Sequence, residues 1–490
     1  MSLAFVPLYI KFMGIESYGL VGIYVSLQSI FGLLDMGIST TLNRELAMRM
    51  PRLEKTQEMR NLVRTLEIVY WAMAITVGVV VVGISSPIVQ YWVKPVVLPR
   101  STVYQAILIM GGIMAFQLPL RFYSGGLMGL EKQVMLNCIN IFFATMRGLG
   151  AVLILWQISS TIQAFFIWQL CLSILNVITV RTFLWENLPK TGARSHIQKN
   201  LLFSVWRFAA GLTGISLASL MLTQTDKIIL SKTLTLEMFG YYTLAFSMAG
   251  SLMNFIGPIS SALFPRFSRL VSINNQIELN AIYHKGCQFL SVIILPPAIV
   301  VSLFSSEILL LWTSNPVIVK NSHVLVSLLT IGVALNGLMY LPFLLTLSYG
   351  WTKFGLYSDI IAAITLVPLI YFLSTQYGAV GAAIGWIILN SGYVLICIQV
   401  LHARLLKGEQ WRWYVNDVLC PISPALIIAL IWRIFIPNEI SRYALFAYLS
   451  GVSITTLLAS IIVNPFSRLF IIDKLFKLKI FFGNKSIVEK

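Results

Sequence analysis

Long apolar runs separated by short polar gaps set the pattern of this chain. They fall at roughly 18–39, 67–90, 103–125, 134–156, 162–185 and 206–230, then at 239–262, 285–312, 322–347, 354–372, 379–402, 415–436 and 443–463. Each approaches the ~20 residues that a helix needs to cross hydrocarbon. None shows the short alternating pattern of a membrane strand. The stretch 1–12 adds a fourteenth element, but twelve helical residues rise only about 18 Å against a core about 30 Å thick. It reads as the outer part of a first helix, truncated at its start. It lacks the basic flank and cleavage site of a signal peptide.

Composition supports lipid as the solvent. The chain is 58% hydrophobic and 11% charged, whereas a soluble domain carries about 25% charged residues. The charge is also placed unevenly. With the spans numbered one to fourteen, most Lys and Arg fall in gaps after even-numbered spans and in the tail. The 43–65 gap alone holds Arg44, Arg49, Arg52, Lys55, Arg60 and Arg64. Gaps after odd-numbered spans hold only Lys11, Lys94, Arg100, Lys232, Lys320 and Arg442, and Arg147, Arg181, Lys227 and Arg433 lie inside spans. Short basic loops stay cytoplasmic, so both termini are expected inside. The net charge of +17 is spread over many loops and makes no stripe for nucleic acid. Anionic phospholipids of the inner leaflet are its expected partner.

Cofactor chemistry is not indicated. The five cysteines are scattered in or beside spans and make no disulfide frame. Histidines 196, 284, 323 and 402 stand in or beside loops with no zinc spacing. No Walker A loop is present, so work must come from a gradient.

The chain repeats itself. Gly14-Ile-Glu-Ser-Tyr-Gly19 leads into a span ending Gly37-Ile-Ser-Thr-Thr-Leu42. Thr235-Leu-Glu-Met-Phe-Gly240 leads into one ending Pro258-Ile-Ser-Ser-Ala-Leu263. Position 19 thus falls on 240 and 42 on 263, an offset of 221, and Gly129 and Lys132 fall on Gly350 and Lys353 at the same offset. Six spans separate the copies, so both face the same way, related by an axis along the membrane normal. Repeats of this kind build alternating-access carriers with the substrate path at their interface. The expected organisation is an N-terminal lobe over 1–188, a C-terminal lobe over 200–406, two extra helices over 411–465 and a basic tail over 466–490. The fold class is therefore all-α and polytopic: two parallel six-helix lobes around a central cavity plus two C-terminal helices.

Several motifs then resemble a known family. Thr225-Asp-Lys-Ile-Ile-Leu-Ser-Lys232 and Phe239-Gly-Tyr-Tyr242 resemble the seventh and eighth helices of Wzx-type lipid-linked oligosaccharide flippases, of the multidrug/oligosaccharidyl-lipid/polysaccharide superfamily. Tyr18-Gly-Leu, Leu34-Asp-Met-Gly37, Leu42-Asn-Arg44 and Gly129-Leu-Glu-Lys132 agree with it. The resemblance implies two six-helix lobes around a V-shaped cavity. It implies transfer of undecaprenyl-diphosphate-linked repeat units across the inner membrane for O-antigen, capsule or exopolysaccharide synthesis. It implies coupling to an H+ or Na+ gradient, with a polymerase and a chain-length regulator as working partners. Fourteen spans rather than twelve depart from many members and match the lipid II flippases; the truncated first helix is a second departure.

Such a substrate needs a polar cleft, open sideways, with fixed cations for its phosphates, because unpaired charge cannot cross hydrocarbon unaided. Arg147, near the middle of its span, is the candidate cation, since it cannot easily snorkel and its planar fork suits phosphate. Pairing to polar neighbours for assembly is the alternative. Asp226 is a candidate for ion coupling or for latching the lobes. Lys227, a neighbour about 100° round the helix that need not pair with it, is expected to snorkel or to join the phosphate site. Asp35 shares a face with Ser39 and is a candidate gate of the cytoplasmic mouth with Arg44 or Arg207; a packing role is an equal alternative. Asp359 is a similar candidate nearer water. Asn254 is the preferred sugar contact among several asparagines and glutamines, which otherwise serve as interhelical bonds. Pro296 and Pro297 offer a bend for rocking. A membrane sugar polymerase or ligase would need a sizeable outer loop or an outer cluster of acids and bases, which is missing. A multidrug exporter would want an acid-rich cavity, and a lipid II flippase remains the other alternative.

Overall fold

The computed structural model describes residues 3–35, 38–50, 56–189, 193, 195–197, 220, 222–437 and 441–464. Every regular element among them is helical, and ten stretches are long and apolar enough to cross a membrane. Contacts divide the chain into two compact units, Met1–Thr243 and Leu244–Lys490.

The first unit contains α1 (Val6–Met13), α2 (Ile15–Phe31), α3 (Ile38–Arg49), α4 (Thr56–Pro87), α5 (Arg100–Gly129), α6 (Gln133–Gln157), α7 (Ile162–Asn187) and α8 (222–233). α9 (Leu236–Gly250) begins in it and ends in the second. α5 is the hub, packed against α3, α4 and α7. At one end the Glu16 carboxylate accepts from the backbone N–H of Val96, Val97 and Leu98 at 2.5, 2.9 and 3.0 Å. A single buried acid thus satisfies the loop that leads into α5.

The two copies of the repeat meet inside this unit. A methyl group on Gly19 would strike the Leu236 carbonyl, and one on Gly240 would strike the carbonyl of Ile15. Ile15 and Leu236 are themselves matched positions. Gly22 lies against Thr243, its own match. Numbers rise together along both helices, so α2 and α9 cross in parallel, with a local two-fold relation between them. Glycine permits backbone contact at such a crossing. Both helices also break alike: α2 passes into a 3-10 turn at Gly32–Asp35, and α9 into one at Ser251–Phe255. The apolar runs at 18–39 and 239–262 are therefore each interrupted near the matching place.

The second unit adds α10 (Ile256–Ser272), α11 (Gln276–Leu303), α12 (Ser305–Thr313), α13 (Pro316–Leu338), α14 (Tyr340–Ser348), α15 (Thr352–Gly392), α16 (Ile398–Leu405), α17 (Gln410–Ile434) and α18 (Arg442–Val463). α15 doubles back at Gly378, whose φ of 58° and ψ of −136° are not helical. Gly381 then lies on Leu373 and Gly385 on Ile370, an antiparallel hairpin. The runs 354–372 and 379–402 correspond to its two arms. α11 continues through Pro296 and Pro297. α17 and α18 pack on α11 through Ile299, Val300, Phe304, Ala425, Ala429, Leu445, Leu449 and Val452. They are fastened to the unit's core, and Arg433 pairs with Glu307 at 2.5 Å beside this contact.

Candidate functional site

Arg147 points into the first unit. Its Nη2 donates to the Ser173 hydroxyl at 3.3 Å, and Gln169 of α7 donates to its backbone carbonyl at 3.3 Å. Its Nε is buried with no hydrogen-bond partner, and among the described residues no carboxylate pairs with it. A polar seam continues nearby through α2 and α5. Gln28 donates to Gln117 at 2.6 Å, and Gln117 donates to the Tyr24 hydroxyl at 2.7 Å. Among the described residues the guanidinium is thus oriented by neutral groups alone.

Four acids inside the helices are held differently, each accepting from a tyrosine. Tyr70 donates to Asp35 at 2.6 Å, Tyr123 to Glu67 at 2.7 Å, Tyr242 to Asp226 at 2.5 Å and Tyr393 to Asp359 at 3.2 Å. Ser39 adds 2.6 Å to Asp35, the shared face that spacing predicts. Tyr70 is the partner that sequence reasoning missed. Arg44 lies on α3, and Arg207 is outside the described residues.

Asp226 and Lys227 do pair. The ammonium lies 3.3 Å from the Asp226 carboxylate and donates to the Thr223 carbonyl at 2.9 Å. Both residues are buried. The expectation that Lys227 snorkels is corrected: a flexible stem lets the ammonium curl back along its own helix, and burial makes the pairing worth more than a reach toward water. Asn254 lies in the 3-10 turn after α9 with its side chain exposed, and Asp359 is half-buried on α15. Asn336 donates to Asn390 at 2.8 Å, the interhelical role expected of most such amides.

Two clusters were not legible. In the first unit, buried Glu67 accepts from Arg181 at 2.7 Å, Arg64 at 2.8 Å, Tyr123 and Trp185. The signal was there: Arg181 inside one span and Glu67 at the start of another need partners. In the second unit, His284 and His402 are buried in helices rather than placed at loops. His284 Nδ1 is 2.5 Å from Asp417, its Nε2 is 3.2 Å from Glu409, and Gln288 donates to Asp417 at 2.9 Å. This cluster ties α17 to α11. Leaving a buried hydrogen-bonding group without its partner costs about 1–3 kcal/mol, and Asp417 serves two such groups. Asp417→Ala should therefore lower the unfolding temperature in detergent sharply, and an unchanged melting curve would show that the apolar contacts suffice.

Two solved structures share this architecture. The lipid II flippase MurJ, in an inward closed conformation, has a TM-score of 0.71 at 12% identity and covers 96% of this chain and 97% of its own. An inward-facing multidrug resistance MATE family transporter of the MOP superfamily has a TM-score of 0.67 at 14% identity, over 82% of this chain and 94% of its own. The fold is shared with these MOP-superfamily structures, and its ten long apolar helices are those of a multi-pass membrane protein. A curated relative, "Putative O-antigen transporter" of Shigella flexneri, is 21% identical over 397 residues, 80% of this chain and 91% of its own. The chain belongs to the family described as polysaccharide biosynthesis protein, whose model matches residues 11–315.

Proposed function

We propose that this protein carries a polyprenyl-diphosphate-linked saccharide across the inner membrane by alternating access. The observation that carries the reading is Arg147: a guanidinium within a membrane helix, oriented by Ser173, with no carboxylate on it among the described residues. Such a cation favours a phosphate, which it can grip with two parallel bonds. The parallel crossing of α2 and α9 supports two like-facing copies of the repeat, followed by α17 and α18. The basic gaps support a cytoplasmic placement of both termini. The family match and the Shigella flexneri relative favour an oligosaccharide repeat unit of O-antigen, capsule or exopolysaccharide. The near-complete coverage by the lipid II flippase, which spans the two additional helices, favours lipid II as the second reading.

The deciding experiment is flipping in reconstituted vesicles. Labelled undecaprenyl-diphosphate oligosaccharide, lipid II and an organic cation are offered in turn, with the label read by an impermeant reagent. Transfer of either lipid-linked saccharide is expected. Uptake of the cation without flipping would overturn the reading in favour of a multidrug exporter.

An H+ or Na+ gradient is the proposed driving force, and Asp226 with Tyr242 and Lys227 is its proposed site. Asp226→Asn should still bind substrate but lose the response of transport to an imposed gradient. An unaltered dependence on pH and sodium would remove Asp226 from the coupling scheme.

A further inference from the structure

A groove of about 630 Å³ runs along the surface of the first unit between α4 and α7, floored by α5. That is within the range of about 300–1,000 Å³ usual for small-ligand sites. Its walls are Ile68, Ala72 and Ile75 on one side and Ile174 and Ile178 on the other, with Phe116 beneath. Ile68, Ile75 and Ile178 are exposed, so the groove opens sideways to where lipid chains lie. Arg64 and Arg181 close one end. Both pair with the buried Glu67 carboxylate, yet their side chains remain 44% and 45% exposed. Each guanidinium has five N–H donors in a planar fork. One carboxylate cannot absorb two such groups, so donors and one positive charge are left over at the mouth.

We propose that this groove is a binding site for an anionic phospholipid, with the phosphate on Arg64 and Arg181 and one acyl chain lying between α4 and α7. The apolar walls and the surplus cation are complementary to that molecule's two parts. Glu67 acts as a positioning residue: it holds both guanidinium groups side by side at the depth where a headgroup would sit. Arg64 and Arg181 stand at the inner ends of their spans in the charge pattern, which assigns the lipid to the cytoplasmic leaflet. Arg147 is not among the residues lining the groove, and the proposal does not depend on which substrate is carried.

Native mass spectrometry of the whole protein in detergent tests this, with phosphatidylglycerol, phosphatidylcholine of the same chains and undecaprenyl phosphate as probes. One phosphatidylglycerol is expected to survive activation, and phosphatidylcholine is expected to leave. Arg64→Ala should weaken retention about tenfold, the loss of a charge-assisted contact of about 1.4 kcal/mol. Because that variant disturbs Glu67, Ala72→Trp supplies the independent arm: it fills the groove from an exposed position and leaves the ion network intact. It should abolish the phosphatidylglycerol adduct while vesicle flipping continues. Full retention by Ala72→Trp would overturn the site. Preferential retention of undecaprenyl phosphate would overturn the occupant, making the groove part of the transport path.

Discussion

Arg147→Ala is expected to reach the membrane at normal levels and to export no glycan. Among the described residues the side chain meets only neutral groups, so its removal leaves no buried counter-charge among them and the fold should survive. A bound diphosphate would then lose its cation. Truncating one partner of a buried, hydrogen-bonded charge pair costs about 2–5 kcal/mol. At about 1.4 kcal/mol per decade this is a fall of roughly thirtyfold to several thousandfold. Arg147→Lys should recover part of the activity, since it keeps a point charge and loses the planar fork. Quantifying surface glycan against protein level checks both variants. Full export by Arg147→Ala would confine the residue to assembly.

The second large effect is expected at the glycine crossing. Gly19→Val places its branch against the Leu236 carbonyl, and Gly240→Val places its branch against that of Ile15. The obstacle in each case is backbone, which cannot rotate away as a side chain can. Overpacking alone costs about 1–3 kcal/mol, and separating two helices forfeits their contacts as well. Because the positions are matched by the local two-fold relation, the two variants should fail to a similar degree in both thermal stability and transport. Gly78→Val is the control, since nothing lies within 4 Å of a methyl added there. Tolerance at Gly19 with failure at Gly240 would contradict the symmetry.

Much of the fold was legible because lipid leaves a strong mark. Run length marked an all-α polytopic membrane chain, and the constant offset matched α2 to α9, though not their contact. Two classes of feature stayed hidden. Local breaks such as Gly32–Asp35 are invisible to hydropathy, since a 3-10 turn needs no change in polarity. Polar partners contributed by distant helices are hidden as well. Ser39 was readable as a neighbour of Asp35 because helical periodicity fixes it. Tyr70 was not, because its approach depends on how α4 packs. Likewise His284 and Asp417 are separated by more than a hundred positions, and only the packing of α17 on α11 joins them. Lys227 was misjudged because an average tendency to reach water was applied to a residue whose nearest acid is its own neighbour.

The tyrosine–carboxylate pairs have one more implication. A phenol can give a hydrogen bond to a carboxylate or receive one from a carboxylic acid. In each of the four pairs the phenol comes from a different helical segment than the acid it meets, so Asp35, Glu67, Asp226 and Asp359 are each tied to a partner brought by packing. Losing any one of these phenols would cost its acid a bond and, with it, one of the polar fastenings between helical segments.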